Sequence, residues 1–376
     1  MIKVMQVSTR HNVGGISRLN SVLLSINDTK NVFVTGECEA NEKEFSLDFL
    51  ETTNTTFYRI HSMRRSLNLW RDLISLKQIY RVIKIEKPDI IHTHMSKAGC
   101  LARIAAIISK SDTQLIHSYH GLVLDNYFSD FLSKFFLLIE RILASQTDAI
   151  ICDSALIKKE VSRLQIMPKH TSHVILPGLI KASNSFTQKK EVSRVLKILM
   201  VSRLEPIKRL DRAIDALFIA QKIDPNISFE MIVVGDGQMR TSLEQRSKEM
   251  SLPVSFVGWQ SSLVDFYLES HVLLLSSESE GTPLTVMEAA YFGCPTISTA
   301  VGGIPDIVED GETGILCPPE AGALAHAIVR VFRNREELNK MAFKAHEKAK
   351  SDFSVETFLS KHLALYESLA PKIHQQ

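Results

Sequence analysis

Short apolar runs that alternate with longer helical patterns constrain this chain most, and the alternation occurs twice. In the first half the runs are Ile2 to Val7, Val32 to Thr35, Ile90 to Thr93, Leu115 to His117, Ala149 to Cys152 and Val174 to Leu176. Strands that alternate with helix-length segments predict crossover connections, and hence a mostly parallel sheet covered on both faces. After Pro177-Gly178 comes a polar stretch, Lys181 to Arg194, with no periodicity. The alternation then restarts with Leu196 to Val201, Phe229 to Val234, Val254 to Val257, Val272 to Leu275, Thr296 to Ser298 and Gly314 to Leu316. The expected fold is α/β, with two doubly wound Rossmann-like domains facing each other across a cleft. The first domain is read as 1–180, the linker as 181–194, the second domain as 195–354, and a C-terminal helix as 355–376. That helix is amphipathic by its Phe358, Leu359, Leu363, Leu365, Tyr366 and Leu369.

A chain of 376 residues suits two domains of ordinary size, each with its own core. Lys plus Arg exceed Asp plus Glu by only 44 minus 42, which excludes a global electrostatic case for nucleic acid, so any anion site must be local. Five cysteines, Cys38, Cys100, Cys152, Cys294 and Cys317, are scattered without metal-type pairs and favour a reducing compartment. No zinc site is expected. No apolar run reaches the roughly 18 residues of a membrane-spanning helix, and the first residues read as a strand, not a signal peptide. The expected location is cytoplasmic.

The chemistry concentrates where the second-half strands end. Val272 to Leu275 runs into Ser276-Ser277-Glu278-Ser279-Glu280-Gly281-Thr282-Pro283-Leu284-Thr285-Val286-Met287-Glu288, with two carboxylates seven residues apart. Thr282 is the expected N-cap and Pro283 the first helical position, and Gly293 ends the helix. Glu280 then lies at the carboxyl edge of the sheet and Glu288 about two turns down the helix; open α/β sheets bind ligands at that edge. Each acid alone is also explained by capping or solvation. Arg203 and Lys208 follow the first strand of this half and suit a diphosphate, aided by the amides of the Gly281-Thr282 helix start; surface charges in a loop explain them equally. The chain contains no Asp-x-Asp triplet to hold a metal against a pyrophosphate, so side-chain cations are expected in its place and no metal or cofactor. Gly235-Asp236-Gly237, Gly258-Trp259 and Gly302-Gly303 end other strands on the same rim. Each is read as a tight turn or a ligand contact, and Trp259 equally as packing.

Val201-Ser202-Arg203-Leu204 with Lys208, Val234-Gly235-Asp236-Gly237, the Glu280 to Glu288 segment, and Gly302-Gly303-Ile304-Pro305-Asp306-Ile307-Val308 with Gly311-Glu312-Thr313-Gly314 together resemble the retaining glycosyltransferases of family 4. The resemblance implies the two-domain GT-B fold, with the C-terminal helix packing back on the N-terminal domain. It also implies that Arg203 and Lys208 clamp the donor diphosphate, that Glu288 holds the ribose hydroxyls and that Glu280 meets the transferred sugar. Gly235, Gly258, Trp259, Gly281, Thr282, Pro283, Leu284 and Thr285 complete the expected donor site. Arg209 departs from the family, which usually has glycine there.

In the first half, Val13-Gly14-Gly15-Ile16 opens a helix after the first strand, where amides can face an anion. His94 and His120 fall at strand ends, and His92, alternating with His94, is read as facing the interior. Met63-Arg64-Arg65-Ser66, Pro88 to His94, Ser96-Lys97-Ala98-Gly99 and Tyr119-His120-Gly121 with Tyr127-Phe128-Ser129 resemble a bacterial surface-polysaccharide branch of the family. That branch places Gly14 and Gly15 beside the donor phosphate and His120 beside the transferred sugar, making His120, Glu280, Arg203 and Lys208 the expected catalytic set. Arg65, His94 and Lys97 become acceptor-side candidates. Leu122 and Val123 stand where the branch carries a second histidine.

The function so implied is transfer of a hexose or N-acetylhexosamine from a nucleoside diphosphate sugar, UDP-linked, to a saccharide acceptor carried on a polyprenyl diphosphate, with retention of configuration. The product belongs to surface polysaccharide: O-antigen, capsule or exopolysaccharide. The rivals are a nucleotide-sugar epimerase of similar architecture and an inactive partner subunit. A lipid-linked acceptor invites peripheral contact with the inner membrane. Basic residues Arg64, Arg65, Arg71, Lys77, Arg81, Lys84 and Lys87 interleave with Leu67, Leu69, Trp70, Leu73, Ile74, Leu76, Ile79 and Val82, and Phe128, Phe131, Leu132, Phe135, Phe136 and Leu138 crowd a second helix. Core-facing amphipathic helices explain both patterns as well.

Overall fold

Strands buried on both sides must be covered on both sides, and the central strands of each sheet are buried in this way. The computed structural model describes residues 1–40, 42–121, 130–179 and 194–370, with the side chains of 130 and 131 excepted. Most of the expected linker, and Leu122, Val123, Tyr127, Phe128 and Ser129, therefore lie outside the described residues. The chain divides into two units: Met1–Gly178 with Val355–Gln376, and Leu179–Ser354.

The first unit runs β1 (Ile2–Ser8), α1 (Gly15–Leu23), β2 (Thr29–Gly36), α2 (Phe49–Thr52), β3 (Thr56–Ile60), α3 (Leu69–Glu86), β4 (Ile90–His94), α4 (Ser96–Ser109), β5 (Gln114–Tyr119), α5 (Asp130–Ala144), β6 (Ala149–Cys152), α6 (Ala155–Arg163) and β7 (Thr171–Val174). Among the described residues its strands form one parallel sheet ordered β3-β2-β1-β4-β5-β6-β7. The edge strand β3 has no counterpart among the expected strands, and β7 ends at the residue where the last expected run began. Period-two alternation sorts the two faces. Met5, Val7, Ile91 and Leu115 join Ile79, Val82, Ala102 and Ala105 in one core. Gln6, His92, His94 and Ser118 are buried too, and are polar.

The second unit runs β8 (Leu196–Val201), a 3₁₀ turn at Pro206–Lys208, α7 (Leu210–Ile223), β9 (Phe229–Val234), α8 (Arg240–Glu249), β10 (Val254–Gly258), α9 (Val264–Glu269), β11 (Val272–Leu275), α10 (Leu284–Tyr291), β12 (Thr296–Thr299), α11 (Ile304–Ile307), β13 (Gly314–Cys317), α12 (Ala321–Arg333) and α13 (Arg335–Asp352). Its parallel sheet is ordered β10-β9-β8-β11-β12-β13. Leu196, Ile198, Met200, Met231 and Val233 pack with Ala213, Leu217, Leu324 and Ile328 of α7 and α12.

The last helix, α14 (Val355–Leu369), belongs to the first unit and covers the polar side of its sheet. Tyr366 OH lies 2.8 Å from His92 Nδ1, whose Nε2 meets Ser118 Oγ at 2.7 Å, and Phe358 seats against Gly178. These two hydrogen bonds satisfy both ring nitrogens of the buried His92. By contrast, among the described residues no element covers the first turns of α3: Leu69 and Trp70 are 84% and 79% exposed, and Leu73 and Ile74 are exposed as well. Its later residues Ile79, Val82 and Ile83 reach the core, with Leu76 and Tyr80 packed against it, so a purely core-facing reading holds for that part of α3 alone.

Candidate active site

In the second unit five loops leave the carboxyl ends of β8 to β12, and backbone contacts knit them together. Gly235 after β9 donates its N–H to the carbonyl of Gly258, the last residue of β10, at 2.8 Å. A Cβ on Gly235 would stand 1.9 Å from the Ser202 carbonyl oxygen, and one on Gly302, which has φ +57°, would stand 1.7 Å from that of Glu280. Gly303 N–H donates to the Gly281 carbonyl at 2.8 Å. These glycines therefore let backbone approach backbone, the tight-turn alternative of the sequence reading.

The braced loops hold one buried ion pair. Lys208 Nζ lies 2.8 and 2.7 Å from the two carboxylate oxygens of Glu280, which also accepts from Ser277 Oγ at 2.6 Å. The Glu280 side chain is 8% exposed and that of Lys208 is 19%. Arg212, buried, donates to the Ser276 carbonyl at 2.9 Å, and Ser276 Oγ donates to that of Arg209 at 2.7 Å, so the loop carrying Lys208 and the loop carrying Glu280 move as one. Arg203 is different: its guanidinium is more than half exposed and pairs with Glu205 at 2.7 Å.

Next to this pair α10 begins at Leu284. Pro283 is the N-cap and no side chain caps the helix, so Thr282 and Pro283 each sit one position earlier than expected. The Pro283 ring removes its own N–H, and residues 281–285 remain partly exposed. Phe292 closes the helix and Gly293 follows at φ +63°, as its missing Cβ permits. Glu288, one turn into α10, is 8% exposed and accepts from the Tyr267 hydroxyl of α9 at 3.0 Å. Tyr267 carried no signal in the sequence, because its link to Glu288 spans 21 residues and two elements. Trp259 is exposed. Arg209 adopts φ +49°, a left-handed position that explains glycine in the family, and its guanidinium bonds Asp211 and Glu278.

The first unit presents a second group of residues. Gly14 and Gly15 are exposed, and Gly15 opens α1 with no side-chain cap. His120 Nδ1 lies 2.7 Å from Asp153 Oδ2, and its Nε2 lies 3.0 Å from His94 Nδ1. Asp153 drew no attention in the sequence. His94 is fully buried, and burial, with the neighbouring histidines, holds its imidazole well below the ordinary histidine value. It faces His120, not solvent. Lys97 salt-bridges Asp72 at 2.6 Å and donates to the Ser66 carbonyl at 2.5 Å, tying α4 to the loop before α3; Arg65 is exposed. Of the acceptor-side candidates, His94 is thus buried, Lys97 is paired with Asp72 and Arg65 is exposed. Among the described residues no group of three or more His, Cys, Asp or Glu is placed to hold a metal ion.

Two Rossmann-like domains with phosphate-suited loops at the strand ends are the architecture of the GT-B fold. The chain belongs to glycosyltransferase family 4: residues 32–180 match the family described as Glycosyltransferase Family 4, and residues 182–348 the one described as Glycosyl transferases group 1. It is similar to the Escherichia coli UDP-Gal:alpha-D-GlcNAc-diphosphoundecaprenol alpha-1,3-galactosyltransferase, at 27% identity over 85% of each chain. It is also similar to the Escherichia coli O-antigen biosynthesis glycosyltransferase WbnH, at 24% identity over 78% of this chain and 81% of that one. In fold it resembles Anabaena Alr3699/HepE solved in complex with UDP, with a TM-score of 0.78 and 19% identity over 98% of this chain and 100% of that one. The apo form of the lipopolysaccharide outer core galactosyltransferase WaaB gives 0.76 and 20% over the same shares.

Proposed function

We propose that this enzyme transfers a hexose or N-acetylhexosamine from a UDP-sugar to a saccharide acceptor on a polyprenyl diphosphate, with retention of configuration, in surface polysaccharide biosynthesis. The observation that carries the reading is the Lys208–Glu280 pair beside the uncapped start of α10. An ammonium held by one carboxylate keeps a donor for a phosphate oxygen, and helix amides add partial positive charge next to it. Together with Arg203 they stabilise the departing diphosphate, so charge neutralisation falls to the protein's own cations and no metal ion is needed. The leaving phosphate, itself anionic, accepts the acceptor's proton. Glu280 orients the transferred sugar, Glu288 the ribose, and His120 contacts the sugar. The relative that acts on GlcNAc-diphosphoundecaprenol supports the lipid-linked acceptor.

Proton NMR of UDP-sugars with the purified enzyme tests this reading. A new α-linked product with UDP is expected only when a lipid-linked saccharide is present. Epimerised donor, formed without acceptor, would sink it.

The same reading puts the enzyme on the cytoplasmic membrane as a peripheral protein. No described helix is long and apolar enough to cross a membrane. Leu69, Trp70, Leu73 and Ile74 of α3 stand exposed beside the exposed Arg65, Arg71, Lys77 and Arg81, and Leu132, Phe135, Leu138 and Ile142 form an exposed stripe on α5. Apolar side chains flanked by cations suit an anionic lipid surface, at about 1 kcal/mol per basic residue near it. In flotation assays the enzyme is expected to rise with anionic liposomes and to stay behind once Trp70 and Phe135 are replaced by serine. Absence of flotation by the intact protein would refute the contact.

A further inference from the structure

Three adjacent strands of the first sheet end side by side, and each delivers one polar group. Parallel register pairs His94 with Ser118 and Tyr119 with Cys152, so His120 and Asp153 are the first residues beyond neighbouring strand ends, with His94 closing the strand on the far side. The three form a line: Asp153 Oδ2 to His120 Nδ1 at 2.7 Å, then His120 Nε2 to His94 Nδ1 at 3.0 Å, the two imidazoles stacked at 17° with centroids 5.3 Å apart. Asp153 precedes a helix, where an aspartate commonly serves as a cap. Here Ser154 caps α6, its Oγ accepting from Ile157 N–H at 3.1 Å, and Asp153 Oδ2 accepts from the histidine.

A carboxylate only accepts hydrogen bonds, so His120 donates to it from Nδ1, and an imidazole that carries its one proton there presents a lone pair on Nε2. In this structure that lone pair is taken by His94, which burial keeps neutral and which therefore donates through Nδ1–H. The His120 side chain is 11% exposed, enough for one edge to be reached. We infer that Asp153 is a positioning residue for His120: it locks the Nδ1–H tautomer, so that Nε2 is an acceptor that a sugar hydroxyl can take over from His94. The inference rests on the proposal that His120 contacts the transferred sugar.

Asp153→Asn keeps the shape and lets the amide donate to Nδ1, which favours the opposite tautomer; a wrong tautomer is costly where a histidine must present one nitrogen. The expected result is a fall in kcat of about 10- to 100-fold, with the donor KM changed by less than about threefold. Long-range ¹H–¹⁵N spectra of histidine-labelled protein are expected to show His120 as Nδ1–H in the wild type and not in Asp153→Asn. Asp153→Glu, which keeps a carboxylate, should restore that signal and most of the turnover. If His120→Ala lowers kcat while Asp153→Asn alters neither kcat nor the tautomer, the positioning role is wrong and the His120 contact stands. Equal damage in the Glu and Asn variants would also overturn it, pointing to packing alone. Unchanged turnover in His120→Ala would remove the sugar contact and this inference together.

Discussion

Replacing Lys208 by alanine is expected to lower turnover about 10²- to 10³-fold, the usual cost of losing one group that stabilises a developing anion. The variant removes the ammonium that lies 2.8 and 2.7 Å from Glu280, and it also leaves a carboxylate that is 8% exposed without its counter-ion. Both effects count, and they separate. Stranding a buried charge costs stability, about 3 to 5 kcal/mol when burial is complete and less here, because Ser277 Oγ still donates at 2.6 Å. The double variant Lys208→Ala with Glu280→Gln relieves the stranded charge and should recover thermal stability, but not turnover. Arg203→Ala is expected to cost far less, about tenfold, because that guanidinium is more than half exposed and already paired with Glu205. Steady-state kinetics and thermal denaturation on the three variants check the order. Equal losses at Arg203 and Lys208 would contradict the weight placed on the buried pair.

The second large effect is acid destabilisation of the first unit. Burial holds His11 and His362 down to about 4 and His117 down to about 3, and pushes His92 and His94 well below the ordinary value. His11 is wedged among the rings of Phe33, Phe45 and Phe49, and His117 shares its surroundings with the Arg103 guanidinium. Each folded value lies below the unfolded 6.5, so the folded chain refuses protons that the unfolded chain takes up. Stability is therefore complete above about pH 6.5 and falls as pH drops from there towards 4 to 3. Between about pH 7 and about pH 5.5 each such histidine costs on the order of 1 kcal/mol by linkage, so the three together cost a few kcal/mol. His92 and His94 add in the same direction. Because all five lie in the first unit, hydrogen exchange should lose protection in β4 and β5 before β8 and β11 as the pH is lowered. Protection that stays level in β4 and β5 down to pH 5 would show that these rings take protons without cost.

Nearly all the strands were legible in the sequence, because parallel strands covered on both faces read as plain apolar runs. The edge strand β3 escaped, since Thr56-Phe57-Tyr58-Arg59-Ile60 mixes a cation and a phenol into a short run that only pairing with β2 settles. The placement of Lys208, Glu280 and Glu288 on strand ends and one helix followed from spacing. Their partners did not: Tyr267 reaches Glu288 from α9, and Asp153 reaches His120 across a strand boundary 33 residues away. Such pairings depend on sheet order, which no local pattern carries. For the same reason Gly302 looked free to meet a ligand, whereas it meets the Glu280 carbonyl. The amphipathic start of α3 was ambiguous because periodicity records an apolar stripe without recording whether a neighbour covers it.

Calorimetric titration of UDP and UMP in EDTA probes the diphosphate site most directly. UDP should bind the wild type at least tenfold more tightly than UMP, a difference of about 1.4 kcal/mol or more, and Lys208→Ala should abolish most of that preference. Equal binding of UDP and UMP by the wild type, or an unchanged preference in Lys208→Ala, would contradict the assignment of Lys208 to the departing diphosphate.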